Sequence, residues 1–256
     1  MRQFDEATTV TEACGRRLVI SPMTQGDIEP LAALYRSVLI GRDAYRCALD
    51  PGAPGNFGRK GGMFRIHNLE SLARLLDDDT EYVWVVREGE RLLGAFWCGL
   101  ADEKYGDPSR ILPLPGSEDL SHRIAEGISN KTLYFSKEIL IAPEERGFAL
   151  AEALIHAGMR FFHARGYRES CGEVYYVSAF RDEEGERPVR LFNNVSYQML
   201  KRTGCRLEGA FPPCVVRADG FDVVLSIRIV RWDVLSSLPR TREFLGVAGL
   251  SLEEPA

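Results

Sequence analysis

The clearest pattern along the chain is a strand, a turn and a helix between residues 132 and 167. The segment from Leu133 to Ile141 is rich in aromatic and branched apolar residues, which predicts a strand. The strand is predicted to stop at Pro143, and a short turn, Glu144 to Gly147, follows it. Apolar residues then recur with helical spacing up to Gly166, which is placed to end a helix. Such a unit directs the free amides of the turn and the positive end of the helix dipole at one point, so it predicts an anion site, most naturally for phosphate.

The same periodicities predict the rest of a mixed sheet with helices on both faces, an α/β (α+β) fold class. Helical spacing predicts a helix from Ile28 to Val38, a helix from Asn68 to Leu76, and an Asn-capped helix that begins near Asn193 and stops at Gly204. Apolar runs predict further strands at residues 17–23, 82–87, 91–100, 170–177, 205–211 and 221–232.

The two ends of the chain are more polar than this central part. Residues 1–16 are predicted to form a flexible extension, and residues 233–256 a polar tail. The predicted domain is the segment between them, residues 17–232, and it shows no internal repeat.

Three segments interrupt the pattern inside the domain. Residues 101–131 are rich in proline and glycine and predict an inserted loop with a short helix from Leu120 to Ala125, which either covers a substrate mouth or is inert. Residues 178–190 predict a second, polar insertion. Residues 41–66 are basic and rich in glycine. Their Gly58-Arg-Lys-Gly-Gly62 stretch could hold an anion through its amides and cations, but a mobile surface loop is the favoured interpretation.

Composition narrows the class of protein. The 256 residues are 45% hydrophobic and 27% charged, as in an ordinary globular protein, and the net charge of -5 argues against a general nucleic-acid surface. The first residues lack the apolar region of a signal peptide, and no stretch is long and apolar enough to span a membrane. The six cysteines lack CxxC spacing and the four histidines lack a metal-ligand pattern. The sequence therefore predicts a cytoplasmic protein with no metal, no membrane association and no nucleic-acid partner.

The segment at residues 146–151, Arg-Gly-Phe-Ala-Leu-Ala, is neither a Walker loop nor a dinucleotide fingerprint, because no Gly-Lys-Ser/Thr and no G-x-G-x-x-G occurs there. It resembles the pyrophosphate loop of the GNAT superfamily of acyl-CoA-dependent N-acetyltransferases, whose pattern is Arg/Gln-x-x-Gly-x-Gly/Ala. Arg146 and Ala151 fit this pattern, whereas Ala149 stands where the family usually has glycine.

A second stretch resembles the family's segment Asn-x-x-Ala-x-x-hydrophobic-Tyr-x-x-x-Gly-Phe. The residues in register with it are Asn193, Ser196, Met199 and Gly204. The two motifs stand in the correct order, and the resemblance covers residues 17–232 with two insertions. It implies a GNAT-like, mostly antiparallel central sheet.

The resemblance also implies a co-substrate, acetyl-CoA or another acyl-CoA, and direct transfer of the acyl group to a primary amine. The backbone of the central strand would pair with the pantetheine arm like an added strand, and the turn amides would hold the pyrophosphate. The predicted cofactor-binding residues are Ile139, Leu140, Ile141, Arg146, Gly147, Phe148, Ala149, Leu150, Ala151, Asn193 and Ser196.

Attack of an amine on a thioester requires a base for the ammonium proton, backbone donors for the oxyanion and an acid for the departing thiolate. Glu173, on the strand predicted at 170–177, is the first choice for the base, because some family members carry a catalytic Glu there. Glu138 is the second choice. It lies in an otherwise apolar strand, where burial would raise the pKa of a carboxylate.

The general acid is the weak point of the resemblance. Leu200 occupies the position where the family usually has tyrosine. Tyr197, one turn earlier on the same helix, is the predicted substitute, and Tyr175 and Tyr176 are further options.

These departures leave other functions open. A GNAT-fold protein that binds acyl-CoA as a non-catalytic sensor or scaffold is one alternative. An aminoacyl or acyl-carrier-protein transferase is another, for which Arg59 and Lys60 form the one candidate basic patch. The predicted acceptor is a small-molecule amine or a peptide amine. The predicted oligomeric state is a monomer or a homodimer.

Overall fold

The computed structural model describes residues 8–12, 15–40, 45–50, 52–53, 57–64, 67–100, 105, 107–218 and 220–253. Over these residues the chain forms one twelve-stranded sheet and eight α-helices. The strands are β1 (Thr8–Glu12), β2 (Arg17–Pro22), β3 (Glu81–Glu88), β4 (Arg91–Gly99), β5 (Leu112–Pro113), β6 (Leu133–Ile141), β7 (Glu169–Asp182), β8 (Gly185–Phe192), β9 (Arg206–Ala210), β10 (Cys214–Arg217), β11 (Asp222–Asp233) and β12 (Leu250–Glu253). The helices are α1 (Ile28–Val38), α2 (Tyr45–Leu49), α3 (Phe57–Lys60), α4 (Leu69–Asp77), α5 (Leu120–Ser129), α6 (Leu150–Ala164), α7 (Asn194–Arg202) and α8 (Val234–Val247).

The strands follow the order β12-β1-β2-β3-β4-β6-β7-β11-β9-β5, while β8 pairs with β7 and β10 with β11. Within the described residues, β6 and β7 form the one parallel pair, and the other strand pairs are antiparallel. The predicted α/β (α+β) class with a mixed, mostly antiparallel sheet is therefore confirmed. None of the described helices is long and apolar enough to cross a membrane.

Both faces of the sheet are covered, as the alternation along β3 shows. Trp84 and Val86 belong to a core cluster with α6 and α8, whereas Val83 and Val85 belong to a second cluster with α1 and α4. Because successive side chains of a strand point to opposite faces, the two helix pairs lie on opposite sides of the sheet. This confirms the predicted arrangement of helices on both faces.

Side chains cap the starts of two helical segments. The Asn68 side-chain oxygen accepts a hydrogen bond from the Ser71 amide at 2.7 Å, at the start of α4. The amide of Thr24 donates to the Asp27 carboxylate at 2.7 Å, one half of a capping box before α1. Each bond satisfies a backbone donor at a helix start that has no partner within the helix itself.

The prediction of an extension over residues 1–16 and a tail over residues 233–256 is wrong for their described parts. β1 lies between β2 and β12 in the sheet, and Val10 is fully buried opposite Leu18 and Leu252. The C-terminal segment forms α8 and β12. The strands are too short for a periodic signal, and Pro239 inside α8 interrupts its helical pattern.

The two predicted insertions are also more ordered than expected. Residues 178–190 complete β7 and form most of β8, a hairpin whose polar residues face outward while Phe180 is buried. The described part of residues 101–131 contains β5 and α5. The predicted helix from Leu120 to Ala125 is present and continues to Ser129, with Leu120 and Ile124 buried in the core.

The interpretation of residues 41–66 as a mobile surface loop is wrong for the residues that the structure describes. These residues include α2 and α3. Leu49 and Phe57 are fully buried, and the Met63 carbonyl accepts a hydrogen bond from the Ile40 amide at 2.8 Å. The apolar residues between the glycines anchor the segment. Burying their surface stabilises the fold by about 25 cal/mol for each Å² of apolar area removed from water. Residues 41–44, 51, 54–56 and 65–66 lie outside the described residues.

Candidate active site

The central feature of the sheet is the place where its two parallel strands separate. β6 and β7 pair from Leu133 opposite Glu169 to Ser136 opposite Gly172, and no further. On its other edge β6 stays paired with β4, but the register shifts so that Lys137 is an extra residue. The β7-facing edge of β6 therefore lacks a described strand partner beyond Ser136, and its alternate backbone N–H and C=O groups face the gap.

A cavity of about 400 Å³, here called the strand-gap cavity, opens at this separation. Most of the predicted cofactor-binding residues line it: Ile139, Leu140, Ile141, Arg146, Gly147, Ala149, Leu150, Ala151, Asn193 and Ser196. Phe148 does not line it, because its side chain is half-exposed on the outside of the turn. The cavity thus joins the edge of β6 to the start of α6, as the resemblance implies.

The turn before α6 presents its backbone to the strand-gap cavity. Gly147 has φ +99° and Ala149 has φ +57° and ψ +19°, so both adopt the left-handed conformation. This conformation favours glycine, which explains why the family pattern has glycine where this chain has Ala149. Ala149 has no polar side-chain atom to cap α6, and the first amides of a helix have no partner within it. These amides and the helix dipole are features that favour an anion at the turn.

Arg146 connects this turn to the segment after α3. Its Nη1 donates a hydrogen bond to the Lys60 carbonyl oxygen at 2.6 Å, and Lys60, Gly61, Gly62 and Met63 line the same cavity. Burial lowers the pKa of Arg146 from its ordinary value. The glycine-rich segment thus forms one wall of the cavity, which sequence reasoning had set aside in favour of a surface loop.

Asn193 both caps α7 and lines the strand-gap cavity. It caps α7, since its side-chain oxygen accepts a hydrogen bond from the Ser196 amide at 3.1 Å, and it lines the strand-gap cavity while almost fully buried. A Cβ built on Gly61 would lie 3.5 Å from the Asn193 oxygen, so the α3 segment and α7 approach each other closely here. The cap fixes the direction of the side chain and leaves its amide nitrogen as the donor for a ligand.

The two predicted catalytic carboxylates, Glu138 and Glu173, both line the strand-gap cavity. Glu138 follows the extra residue of β6, and Glu173 follows the last paired residue of β7. Both also line a second cavity of about 220 Å³, here called the ring cavity. The residues shared by the two cavities are Ser136, Lys137, Glu138, Glu173 and Tyr175. The structure therefore brings both candidates for the base to the junction of two cavities.

Glu138 is held by two side chains that sequence reasoning missed. The Tyr35 hydroxyl donates a hydrogen bond to Glu138 Oε2, and His67 Nε2 lies 3.3 Å from Glu138 Oε1. Burial raises the pKa of Tyr35, and the charge of Glu138 raises it further, so the phenol remains a donor. Tyr35 reads in sequence as one more apolar residue of α1, and His67 follows a glycine-rich segment. Neither carries a local signal of a site.

The tyrosine candidates for the general acid occupy different places. The Tyr197 ring packs against Phe192, with centroids 5.3 Å apart, and does not line either cavity. Leu200 lines the strand-gap cavity at the position where the family usually has tyrosine. Tyr175 lines both cavities beside the two carboxylates. Over the described residues, no group of three or more His, Cys, Asp or Glu side chains is arranged to hold a metal ion.

Comparison with known proteins is informative at the level of structure. No protein-family model matches the sequence. No curated protein sequence matches it either. Solved structures do match. Mycobacterium smegmatis RimJ in complex with CoA-disulfide has a TM-score of 0.56 at 12% identity, over 97% of this chain and 97% of that chain.

Two other solved structures are similar over most of their length. The GNAT domain of S. lividans PAT has a TM-score of 0.51 at 14% identity, covering 91% of this chain and 99% of that chain. The ribosomal-protein-S18-alanine N-acetyltransferase from Escherichia coli has a TM-score of 0.50 at 9% identity, covering 85% and 94%. At such identities the likeness concerns the fold. The chain therefore has the fold of the GNAT N-acetyltransferases, as its two motifs predicted.

Proposed function

We propose that this protein transfers an acetyl or other short acyl group from acyl-CoA to a primary amine. One observation carries the proposal. The strand-gap cavity runs from the amides at the start of α6 to two carboxylates at the junction with the ring cavity. The first end suits a pyrophosphate, the exposed edge of β6 suits the amides of pantetheine, and the second end suits an ammonium.

In this proposal the α6 turn, residues 146–151, holds the pyrophosphate, with Arg146 beside it. The edge of β6 from Ile139 to Ile141 hydrogen-bonds the pantetheine arm, and Asn193 and Ser196 contact it from α7. The thioester then lies where the strands separate. The solved structure of the M. smegmatis protein holds a CoA-disulfide on a similar fold, which supports a CoA ligand here.

The chemistry follows from the groups at the junction. Glu173 is our first candidate for the base and Glu138 the second. A carboxylate there accepts a proton from the ammonium, and the neutral amine attacks the thioester carbonyl. Backbone N–H groups on the edge of β6 stabilise the oxyanion. Tyr175, which lines both cavities, replaces Tyr197 as our candidate to protonate the departing thiolate.

A second function, an acyl-CoA-binding sensor without turnover, is favoured by one observation. The cavity wall carries Leu200 where the family usually supplies its acid, and Tyr197 lies outside the cavity. Binding of acyl-CoA without transfer to any amine would select this function over the transferase.

The first experiment measures acetyl-CoA binding by calorimetry on the wild type and on Ala151→Glu. Ala151 is the second residue of α6 and lines the cavity. A glutamate there places a carboxylate beside the bound pyrophosphate, and two charges 4 Å apart repel by about 4 kcal/mol near a protein surface. We expect a loss of affinity of at least about 100-fold. A carboxylate at a helix start is otherwise stabilising, so the variant should fold.

Leu235→Glu is the matched control. Leu235 is the second residue of α8, is 64% exposed and does not line the strand-gap cavity. The control should bind acetyl-CoA like the wild type. Absence of binding by the folded wild type would refute both functions, and equal binding by Ala151→Glu would refute the assignment of the pyrophosphate site. Release of free CoA in the presence of amines then separates the transferase from the sensor.

A further inference from the structure

The ring cavity is lined by aromatic side chains, and the proposed acyl transfer alone does not require such a lining. Five aromatic or imidazole side chains line it: His67, Trp97, Tyr105, Phe135 and Tyr175. They come from four distant parts of the chain, and no sequence motif joins them. The cavity meets the strand-gap cavity at Glu138 and Glu173, so a molecule within it can present an atom to the proposed acyl group.

The rings are fixed by contacts with one another and with two residues outside the cavity lining, Glu81 and Phe211. The Trp97 indole N–H donates to Glu81, and its ring meets His67 edge to face with centroids 5.2 Å apart. Tyr105 packs on Phe135, with centroids 4.5 Å apart, and edge-on against Phe211. The cavity is therefore preformed, with apolar ring surfaces for the body of a ligand.

Among the described residues that line the ring cavity, the two carboxylates outnumber the single lysine. That lysine, Lys137, is paired with Glu81 at 2.5 Å, outside the cavity lining. Lys137 Nζ also lies 5.4 Å from the centre of the Trp97 ring. Glu138 and Glu173 are the carboxylates in the lining. The mouth thus attracts an ammonium group and repels a carboxylate.

Three residues in the lining of the ring cavity are deeply buried and mostly apolar. Tyr105, Phe135 and Cys171 are each at most 1% exposed, so they form a floor withdrawn from solvent. At about 220 Å³ the ring cavity has about half the volume of the strand-gap cavity, which is about 400 Å³, so it suits a compact body. A second charge at the floor would be buried without an opposite charge.

From these features, and resting on the proposed function, we propose the class of acceptor. It is a compact primary monoamine with an apolar aryl or alkyl body, without a carboxylate beside the amine and without a second charge at its far end. The ammonium lies between Glu138 and Glu173, and the apolar body lies against Trp97 and Phe135. Transfer forms the amide N–C bond and breaks the thioester C–S bond. One ammonium proton passes to the base, another leaves the nitrogen as the amide forms, and the thiolate takes up a proton.

Pairs of amines that differ by one charge test this class, with acetyl-CoA as donor. We would compare kcat/KM for 2-phenylethylamine with that for phenylalanine, which adds a carboxylate, and for n-pentylamine with that for 1,5-diaminopentane, which adds a second ammonium. A tetrapeptide with a free N-terminus completes the set. We expect each monoamine to exceed its charged partner and the peptide at least 100-fold. Equal or better use of phenylalanine, the diamine or the peptide would overturn the proposal.

A variant of the ring wall gives an independent readout. Trp97→Leu should raise KM for 2-phenylethylamine about tenfold and leave the Kd for acetyl-CoA unchanged. Leu112→Ala, on an exposed residue outside both cavities, is the control and should change neither value. An unchanged KM in Trp97→Leu would contradict the assignment.

The failures of the two proposals can be told apart. If the protein binds acetyl-CoA but acetylates none of the monoamines, the acceptor class is wrong and the acyl-CoA site stands. If it binds no acetyl-CoA, the proposed function itself falls.

Discussion

The left-handed backbone conformation of Ala149 leads to a prediction that a stability measurement alone can test. Its φ of +57° and ψ of +19° place an L-residue in the left-handed conformation. This costs about 1–2 kcal/mol relative to the ordinary helical region, and glycine avoids the cost. Glycine also gives the unfolded chain more freedom, which offsets about 0.4–1 kcal/mol of that gain. Ala149→Gly should therefore stabilise the protein by about 0.5–1 kcal/mol.

Thermal unfolding measures this difference. For a chain of this size, 1 kcal/mol shifts Tm by about 2–4 °C, so Ala149→Gly should raise Tm by about 1–4 °C. The same substitution two residues later, Ala151→Gly, is the matched control. Ala151 lies inside α6, where glycine is worse than alanine by about 0.5–1 kcal/mol, so its Tm should fall by a similar amount.

The opposite change at the other left-handed position of the turn, Gly147→Ala, should lower Tm. Gly147 has φ +99°, and a Cβ built there meets no atom within 4 Å among the described residues, so the change is conformational and involves no clash. We expect a loss of about 1–2 kcal/mol. Shifts of the same sign for Ala149→Gly and Ala151→Gly would refute the left-handed assignment. They would also remove the reason for glycine at this point of the family pattern.

Three further predictions concern the carboxylates. Replacing the base by glutamine, as Glu173→Gln or as Glu138→Gln, should lower kcat by about 10²–10⁴-fold and leave the affinity for acetyl-CoA unchanged. Small effects on kcat in both variants would contradict a carboxylate base. Tyr35→Phe removes the hydroxyl that donates to Glu138 and should destabilise the protein by about 1.5–3 kcal/mol. Chemical denaturation measures this loss, and an unchanged denaturation midpoint would show that water replaces the hydrogen bond. Burial opposes ionisation of Asp27, but its hydrogen bonds to Arg87 and Thr24 hold its pKa below the ordinary value. The stability of the pair is therefore present above about pH 4 and lost as pH falls through the folded pKa, and the Tm gap between wild type and Asp27→Asn should narrow from pH 7 to pH 3.

The elements that sequence reasoning predicted are those whose pattern repeats. β6 lies in the predicted segment and ends at Ile141, just before Pro143, and the predicted helix is α6, which begins at Leu150. Both were predictable because a buried strand and a long amphipathic helix each carry many informative positions. β1 and β12 have five and four residues, too few for a period to show. β8 lacks a strand signal in the sequence because most of its residues are exposed, and three of the eight, Glu186, Arg187 and Arg190, are charged.

The proposed anion end of the site can be located from the sequence because its residues are contiguous in the chain. Residues 146–151 fix their own backbone, so the local sequence is enough. The acceptor end is assembled by the fold. Tyr35 reaches Glu138 from 103 positions away and His67 from 71, and Tyr105 comes from a segment that reads as an insertion. No spacing rule connects such residues, so only the tertiary structure reveals the ring cavity.

The two departures from the family pattern differ in their physical consequence. At Ala149 the fold uses the backbone, and an alanine in the left-handed conformation still offers its amide at the start of α6. The proposed pyrophosphate site therefore needs no side chain at this position, and glycine would restore the stability lost there. At Leu200 the family uses a side-chain hydroxyl, and leucine has no group that can replace it. If the protein is a transferase, the proton for the thiolate must come from another element. Tyr175 is the tyrosine that lines both cavities, so Tyr175→Phe should reduce kcat while leaving the Kd for acetyl-CoA unchanged. A fully active Tyr175→Phe would instead point to water as the acid at this site.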